Sequence, residues 1–365
     1  MSTAESPAVS PAESLEFREI LAAVVAGRDL TPVEVEAAFG QALAGEATPA
    51  QIGALLAALA TKGESVAEIA AAARLMRRLA VPVPVADRTH LVDTCGTGGD
   101  ARHTFNISTT AALVAAAAGA RVAKHGNRSV SSRSGSADVL EAAGVRLDLP
   151  PAEVGRCIDE IGVGFLFAPA HHGAARHVAG PRRELGIRTI FNLLGPLTNP
   201  AMAPSQVLGV YDGRWVRPLA EVLRALGSRH VLVVHGADGL DEISISGPTR
   251  VVEVREGLLI EDEIAPEAFG LARGPLAALT AHGPAESLAL MRQVLAGEAG
   301  PTASGPVAPA RDIVCLNAGA ALYVAGVAFS LAEGVERAAV AIASGAAREK
   351  LAALVAFTQA SAATR

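Results

Sequence analysis

The hydrophobic pattern changes period near residue 90, and that change limits the fold more than any other feature of the chain. From His90 onward, short apolar runs alternate with helical stretches. The runs are "HLVDTC", "RVAKHG", "SQVLGVYD", "RHVLVVHG", "ISISG" and "TRVVEVREG"; the helical stretches include "TTAALVAAAAG", "ADVLEAAG" and "PLAEVLRALG". Strand and helix in alternation predict an α/β domain over 86–365, with a mostly parallel central sheet and helices on its faces. Only 3% of the residues are aromatic while 50% are hydrophobic. The core must therefore be built from Ala, Val, Leu and Ile, small side chains that suit close helix packing.

The chain before residue 86 reads differently. Thr31-Pro32 and Thr48-Pro49 each place a capping hydroxyl before a proline at the first helical position, and "SVAE" (65–68) has capping-box spacing. No strand pattern interrupts these signals, so 14–85 is expected to be a small all-helical domain, entered from a disordered leader at 1–13. "VPVPVADR" (81–88) marks the crossing between the two. A helical, Pro- and Gly-punctuated insertion at about 165–195 is a candidate to pack back on the helical domain.

Composition narrows the function. The formal net charge is -6, from 31 Lys and Arg against 37 Asp and Glu, which leaves no basic footprint for nucleic acid. No apolar run has the length of a membrane span. Three dispersed cysteines and an N-terminus without a signal pattern lead us to expect a cytoplasmic protein with reduced thiols.

Two loops should emerge from successive strands on one edge of the sheet. "DTCGTGGD" (93–100) offers glycines, which let backbone N–H groups approach a phosphate, just before a helix amino-terminus. It is neither a Walker loop nor a dinucleotide fingerprint. "KHGNRSVSSRSGS" (124–136) adds Lys124, Arg128 and Arg133 among serines; Ser136 is either a phosphate contact or the cap of the next helix. In "GLDE", Asp241 and Glu242 are adjacent. On an extended chain they would face opposite sides, so they either serve two neighbouring magnesium ions or converge through the turn at Asp238-Gly239. His171, His172 and His177 fit no standard zinc spacing, and Cys95 has no base beside it to make it a nucleophile. Arg182 is either a wet helix face or a clamp for a carboxylate.

Taken together and in order, "GTGGD", "NIST", "KHGNRSVSS", "GLDE" and "RTIFNLLGPLTNPA" resemble anthranilate phosphoribosyltransferase of tryptophan biosynthesis, from about Leu15 to Thr358. The resemblance implies a helical domain joined to an α/β domain, a homodimer, and transfer of the phosphoribosyl group of phosphoribosyl pyrophosphate to the amine of anthranilate, with magnesium, two ions per subunit. It implies that Gly96, Gly99, Asp100, Thr104, Asn106, Ile107, Ser108 and Thr109 hold the donor, joined by Lys124, His125, Gly126, Asn127, Arg128, Ser129, Val130, Ser131, Ser132 and Ser136. Ser108, Asp241 and Glu242 match metal positions, and Lys124, Asp241 and Glu242 carry the catalysis. Gly96, His125, Asn127, His172, Arg182 and Pro196 match the anthranilate side. Relatives often have glycine where this chain has Ala101, and bulkier residues where it has Gly173 and Ala175. A pyrimidine nucleoside phosphorylase would share the architecture, but "GPLTNPA" and "GLDE" point away from it. A non-catalytic nucleic-acid-binding relative would be basic and would lose the magnesium acids, both of which this chain keeps.

Overall fold

The computed structural model describes residues 16–129, 133–297 and 307–363. Four helices come first: α1 (Phe17–Val25), α2 (Pro32–Ala44), α3 (Pro49–Lys62) and α4 (Val66–Leu79). Strands and helices then alternate through β1 (Leu91–Asp93), α5 (Ile107–Ala117), β2 (Arg121–Gly126), α6 (Ser136–Ala142), α7 (Pro151–Ile161) and β3 (Val163–Phe167). Three short helices follow, α8 (Ala168–His171), α9 (Arg176–Leu185) and α10 (Phe191–Leu194). The alternation resumes with β4 (Ser205–Gly209), α11 (Val216–Ala225), β5 (His230–Gly236), β6 (Thr249–Arg255) and β7 (Leu258–Ile264). The chain closes on α12 (Pro284–Leu295), α13 (Val307–Ala325), α14 (Leu331–Ala343) and α15 (Ala346–Ala363).

The chain divides into two compact units. One comprises the described part of Met1–Leu75 with Ala174–Ile190; the other comprises Met76–Gly173 with Phe191–Arg365. In the helical unit, Thr31 and Thr48 cap α2 and α3 through full capping boxes with Glu34 and Gln51. Ser65 and Glu68 exchange the same pair of bonds before α4. Glu68 is fully buried, and its charge is met by Lys62 Nζ at 3.0 Å and Leu30 N at 2.9 Å. Helix α9 packs on α2 and α3 within this unit.

By contacts the two units part inside α4, and Val83 and Val85 of the proline-rich crossing are buried against Leu91, Ala123, Leu149, Ile158 and Leu166 of the larger unit. The stretch from 165 begins in strand β3, and Phe191 to Leu194 also belong to the larger unit; only Ala174–Ile190 joins the helices. The leader at 1–13 lies outside the described residues.

The larger unit is built on a seven-stranded sheet of order β3-β2-β1-β4-β5-β6-β7. The first five of these are mutually parallel, in registers such as Val122↔Val163, and β6 and β7 add antiparallel pairs. "ISISG" is not a strand. Asp238 accepts bonds from Ser244 and Ser246 and folds the segment into bends, while the acid-rich "LLIEDEI" forms the edge strand β7 instead. Small side chains make the core as composition requires: α5 is buried along nearly its whole length, and α13 and α14 meet backbone to backbone at Gly319 and Gly334. A Cβ on Gly334 would lie 2.3 Å from Gly319 O, so this crossing admits no larger residue. Among the described residues no helix is long and apolar enough to cross a membrane.

Candidate active site

Strand order locates the site. β1 pairs with β2 on one side and β4 on the other, so the chain's direction of travel across the sheet reverses between β1 and β4. In an open α/β sheet, ligands bind beyond the carboxyl ends of the strands at such a switch point. The glycine loop leaves β1 there and Gly209 ends β4 there. Thr97 N donates to Gly209 O at 2.9 Å, and Thr97 Oγ1 accepts from Tyr211 N at 3.0 Å. A Cβ on Gly209 would fall 1.6 Å from Asp241 O, so only glycine lets the "GLDE" loop lie against β4. A Cβ on Gly96 would come within 3.2 Å of Asp241 Oδ2, which places the two loops face to face.

Lys124, on β2, is 3% exposed. Its Nζ donates to Thr94 O at 3.1 Å, and lies 3.3 Å from both Thr94 Oγ1 and Ser108 Oγ. Ser108, in the first turn of α5, donates its N–H to Glu242 Oε1 at 3.1 Å. A buried ammonium, a helix amino-terminus and a carboxylate thus meet at one point. Asp241 is held well above the usual carboxylate range, first by burial and then by the facing charges of Asp100 and Glu242. Burial raises Glu242 as well, opposed by Lys124 and by its bonds to Ser108. The two acids lie in a bend, not on an extended strand, and face different neighbours: Asp241 turns to Asp100 and Gly96, Glu242 to Ser108 and Lys124.

The remaining residues that the resemblance matches to the donor have varied surroundings. Gly99 takes φ 81, and Ala101, at φ 58, adopts a conformation suited to glycine. Asp100 Oδ1 accepts from Arg102 N at 3.1 Å. Thr104 bridges to Thr280. Ile107 and Thr109 are buried, so Ser108 is the one residue of that turn whose side chain reaches the Lys124 cluster. Asn106 is bound to Ser134 and Ser287, tying the second loop to α12. Arg128 is engaged bidentately by Glu141 at 2.7 and 2.9 Å and by Asp138 at 3.2 Å, so its charge is already met. Asn127 Oδ1 accepts from Arg128 N. Asp138 accepts from Ser129 N and Gly135 N, so Gly135 is the N-cap of α6, and Ser136 is its first helical residue. Gly126 ends β2, and Val130, Ser131 and Ser132 lie outside the described residues.

Among the residues that the resemblance matches to anthranilate, the His125 and His172 rings lie 5.2 Å apart. Burial holds both neutral, with His125 pushed down to about 3 and His172 to about 4. Pro196 is buried, and its carbonyl accepts from Gln206 Nε2 at 2.8 Å. Arg182 lies on α9 of the helical unit, where burial lowers its pKa. Among the described residues the one His, Cys and acid group with ligand spacing is Asp93, Cys95 and His125. It is not a metal centre: Asp93 accepts from Asn199 Nδ2 at 2.7 Å and His125 N at 3.1 Å, and burial raises the Cys95 thiol out of the thiolate range.

Three positioning residues escape sequence reasoning. Asn199 bridges Asp93 and Ala123 O at 2.8 Å, Gln206 bridges Pro196 and Cys95, and Asn317 of α13 holds both Ile243 N and Ile243 O at 3.0 Å. The motif "GPLTNPA" contains the first of them, but no local pattern marks the other two.

A helical bundle followed by an α/β domain is the two-part architecture of a glycosyl transferase family. Residues 18–80 match the glycosyl transferase family helical bundle domain, and 88–348 match that family's a/b domain. The chain belongs to the anthranilate phosphoribosyltransferases. It is 62% identical to the enzyme of that name from Thioalkalivibrio sulfidiphilus, covering 94% of this chain and 99% of the relative. It is 57% identical to that of Methylococcus capsulatus, covering 94% and 98%. The crystal structure of the Thermus thermophilus enzyme superposes with a TM-score of 0.86 at 50% identity, covering 93% of this chain and 99% of that one. The Saccharomyces cerevisiae enzyme in complex with PRPP and Mg superposes with a TM-score of 0.85 at 27% identity, covering 96% and 99%.

Proposed function

We propose that the switch-point crevice carries out the family's reaction, with the residues named here in the stated roles. The enzyme joins the ribose 5-phosphate of phosphoribosyl pyrophosphate to the amine of anthranilate and releases pyrophosphate. The observation that carries the assignment of roles is the meeting of the Lys124 ammonium, the amino-terminus of α5 and Glu242 around Ser108.

The residues fit magnesium. Asp241, Glu242 and the Ser108 hydroxyl form an all-oxygen donor set, the hard-ligand chemistry this ion prefers. Burial, and after it the charges of neighbouring acids, raises both carboxylates, and a divalent cation offsets that cost. Because the two carboxylates face different neighbours, we assign two ions per subunit. When bound, magnesium supplies charge neutralisation for the diphosphate as it departs.

The chain's own residues do the rest. Lys124 supplies positive charge to the diphosphate from a buried position, where it acts far more strongly than in water. The backbone of the glycine loop, free of Cβ atoms at Gly96, Gly98 and Gly99, approaches the phosphates closely. Since Glu242 already takes the Ser108 N–H, α5 contributes through its other amino-terminal donors. Anthranilate's aryl amine is neutral near pH 7 and is nucleophilic as it stands, so no general base is required. His125 and His172, both neutral, wall the approach and keep water from the reacting carbon. Arg182 is the residue we assign to the anthranilate carboxylate. Alignment of donor and acceptor is worth about 7–11 kcal/mol of barrier, with leaving-group stabilisation supplying the remainder.

A fluorescence assay of anthranilate consumption, with phosphoribosyl pyrophosphate and magnesium added or withheld, tests the activity. Arg182→Ala should raise the anthranilate KM far more than the donor KM, and an equal rise in both refutes its role. We also assign the chain to a cytosolic homodimer. The reading is supported by the family and by the free thiols of Cys95, Cys157 and Cys315. A light-scattering mass equal to one 365-residue chain would refute the dimer.

A further inference from the structure

A second cleft lies at the opposite rim of the sheet. β1 and β5 present their carboxyl ends to the crevice; at their amino ends a cavity of about 570 Å³ opens beside His90 and His230. Arg88, Arg229, Arg255 and Glu256 wall it, and the end of α13 at Val324–Gly326 forms its floor. The volume is that of a small-molecule site.

Its charge contrasts with the rest of the molecule. Three guanidinium groups face one carboxylate in a chain of net charge -6. Elsewhere on the surface, arginines such as Arg28, Arg128, Arg146, Arg156 and Arg273 hold acids within ion-pair distance. Among the described residues, Arg229 and Arg255 hold none. Arg229 reaches only Ser205 Oγ at 3.5 Å, and Arg255 only Tyr323 Oη at 3.5 Å, both at the limit of a hydrogen bond. Arg88 is fixed in place by the carbonyls of Ala201 at 3.0 Å and Met202 at 2.5 Å, which orient it without neutralising it.

The wall is also preorganised. His90 Nδ1 lies 2.8 Å from Ala325 O, and a carbonyl can only accept, so this nitrogen carries the proton and Nε2 is left for another partner. His230 is 9% exposed, and its Nε2 lies 2.7 Å from Glu253 Oε1, which also accepts from Tyr323 Oη at 2.8 Å. The register pairs His230 with Arg255, so a rigid ladder positions both. Glu253 lies close enough for Arg255 to lower its pKa, but its Oε1 is taken by His230 and Tyr323, so no carboxylate bonds Arg229 or Arg255. Guanidinium groups left without a bonded acid in a concave site are arranged for an oxyanion, and the arginine fork matches phosphate or carboxylate oxygens two at a time.

We propose that this cleft binds a small oxyanion, a phosphate- or carboxylate-bearing metabolite, at a site separate from the catalytic crevice. The test is isothermal titration of inorganic phosphate, and separately of succinate, into the full-length enzyme already saturated with magnesium and phosphoribosyl pyrophosphate. Saturable binding is expected for at least one anion, weakened at least about tenfold in the Arg229→Gln/Arg255→Gln variant, whose turnover without added anion stays at the wild-type level. Binding of phosphate alone assigns the phosphate group, and binding of succinate alone the carboxylate. If the double variant melts early, Arg255→Lys serves in its place: it keeps the charge, loses the fork, and should still weaken binding severalfold. Equal affinity in wild type and variants, or no binding of either anion up to about 20 mM, where a specific site would be filled, overturns the proposal.

Discussion

Replacing Gly209 by alanine tests whether the contact between β4 and the "GLDE" loop sets the geometry of catalysis. The new Cβ would stand 1.6 Å from Asp241 O and 2.5 Å from Asp241 C, whereas real Cβ contacts are not found under 3.0 Å. The backbones must therefore part by about 1.4 Å, and a close-packed interior does not absorb such a movement locally. β4 cannot easily retreat, because Val210 N is bound to Val234 O at 3.0 Å and Thr97 N to Gly209 O at 2.9 Å. The loop is pinned on its far side by Asn317, so Asp241 and Glu242 are displaced while Ile243 is held. Overpacking of this kind costs about 1–3 kcal/mol of stability. A misplacement of about 1 Å costs about a hundredfold in rate. Initial rates by anthranilate fluorescence, with a magnesium titration at saturating donor, give kcat/KM and the midpoint in one experiment. Gly247→Ala, where a Cβ would meet nothing within 4 Å, is the control and should retain wild-type kinetics. A Gly209→Ala enzyme whose kcat/KM stays within about threefold of wild type, with an unmoved magnesium midpoint, would refute the reasoning, since the expected loss is far larger.

Asn317→Leu removes the clasp on both backbone groups of Ile243 and leaves a buried donor and acceptor unsatisfied, at about 1–3 kcal/mol each. Urea unfolding should show the loss, and the magnesium requirement should rise with it; unchanged values in both would mean that the loop is held by other contacts. The acids supply a pH dependence with a definite sign. Asp241 and Glu242 have folded-state pKa values raised above the carboxylate range, so they take up protons as pH falls through the region above that range, and protons then compete with the cation. The apparent magnesium affinity should be weaker at about pH 6 than at about pH 8, and a flat profile would show that these carboxylates do not bind the metal. Glu68→Gln leaves Lys62 facing a neutral partner in a dry site and should lower stability by up to about 3 kcal/mol, since breaking a buried pair strands its other half. Asp29, at 2.5 Å from Lys62, limits the damage, and an unchanged melting temperature would show that it alone suffices.

What could be read from the sequence was what local chemistry decides. The threonine and serine caps of α2, α3 and α4 need only four residues each to declare themselves, and the glycine loop announces a backbone approach through composition alone. Long-range satisfaction was not readable in this way. Asn199 reaches Asp93 across 106 positions, Asn317 reaches Ile243 across 74, and neither partnership leaves a periodic trace. Arg128 looked like a phosphate cation in its loop, yet Glu141 lies one helical turn into α6 and captures it. β7 escaped because an edge strand exposed along most of its length carries acids where a buried one would carry Val or Ile. The same distinction bears on mechanism. In the proposed donor site, Asp100, Asp241 and Glu242 cluster on one side of the crevice, and a bound cation would offset the acids that otherwise disfavour a diphosphate. On that reading, the loops visible in the sequence shape the donor site, while the close approach at Gly209 and the clasp of Asn317 position Asp241 and Glu242 where a cation would meet the diphosphate.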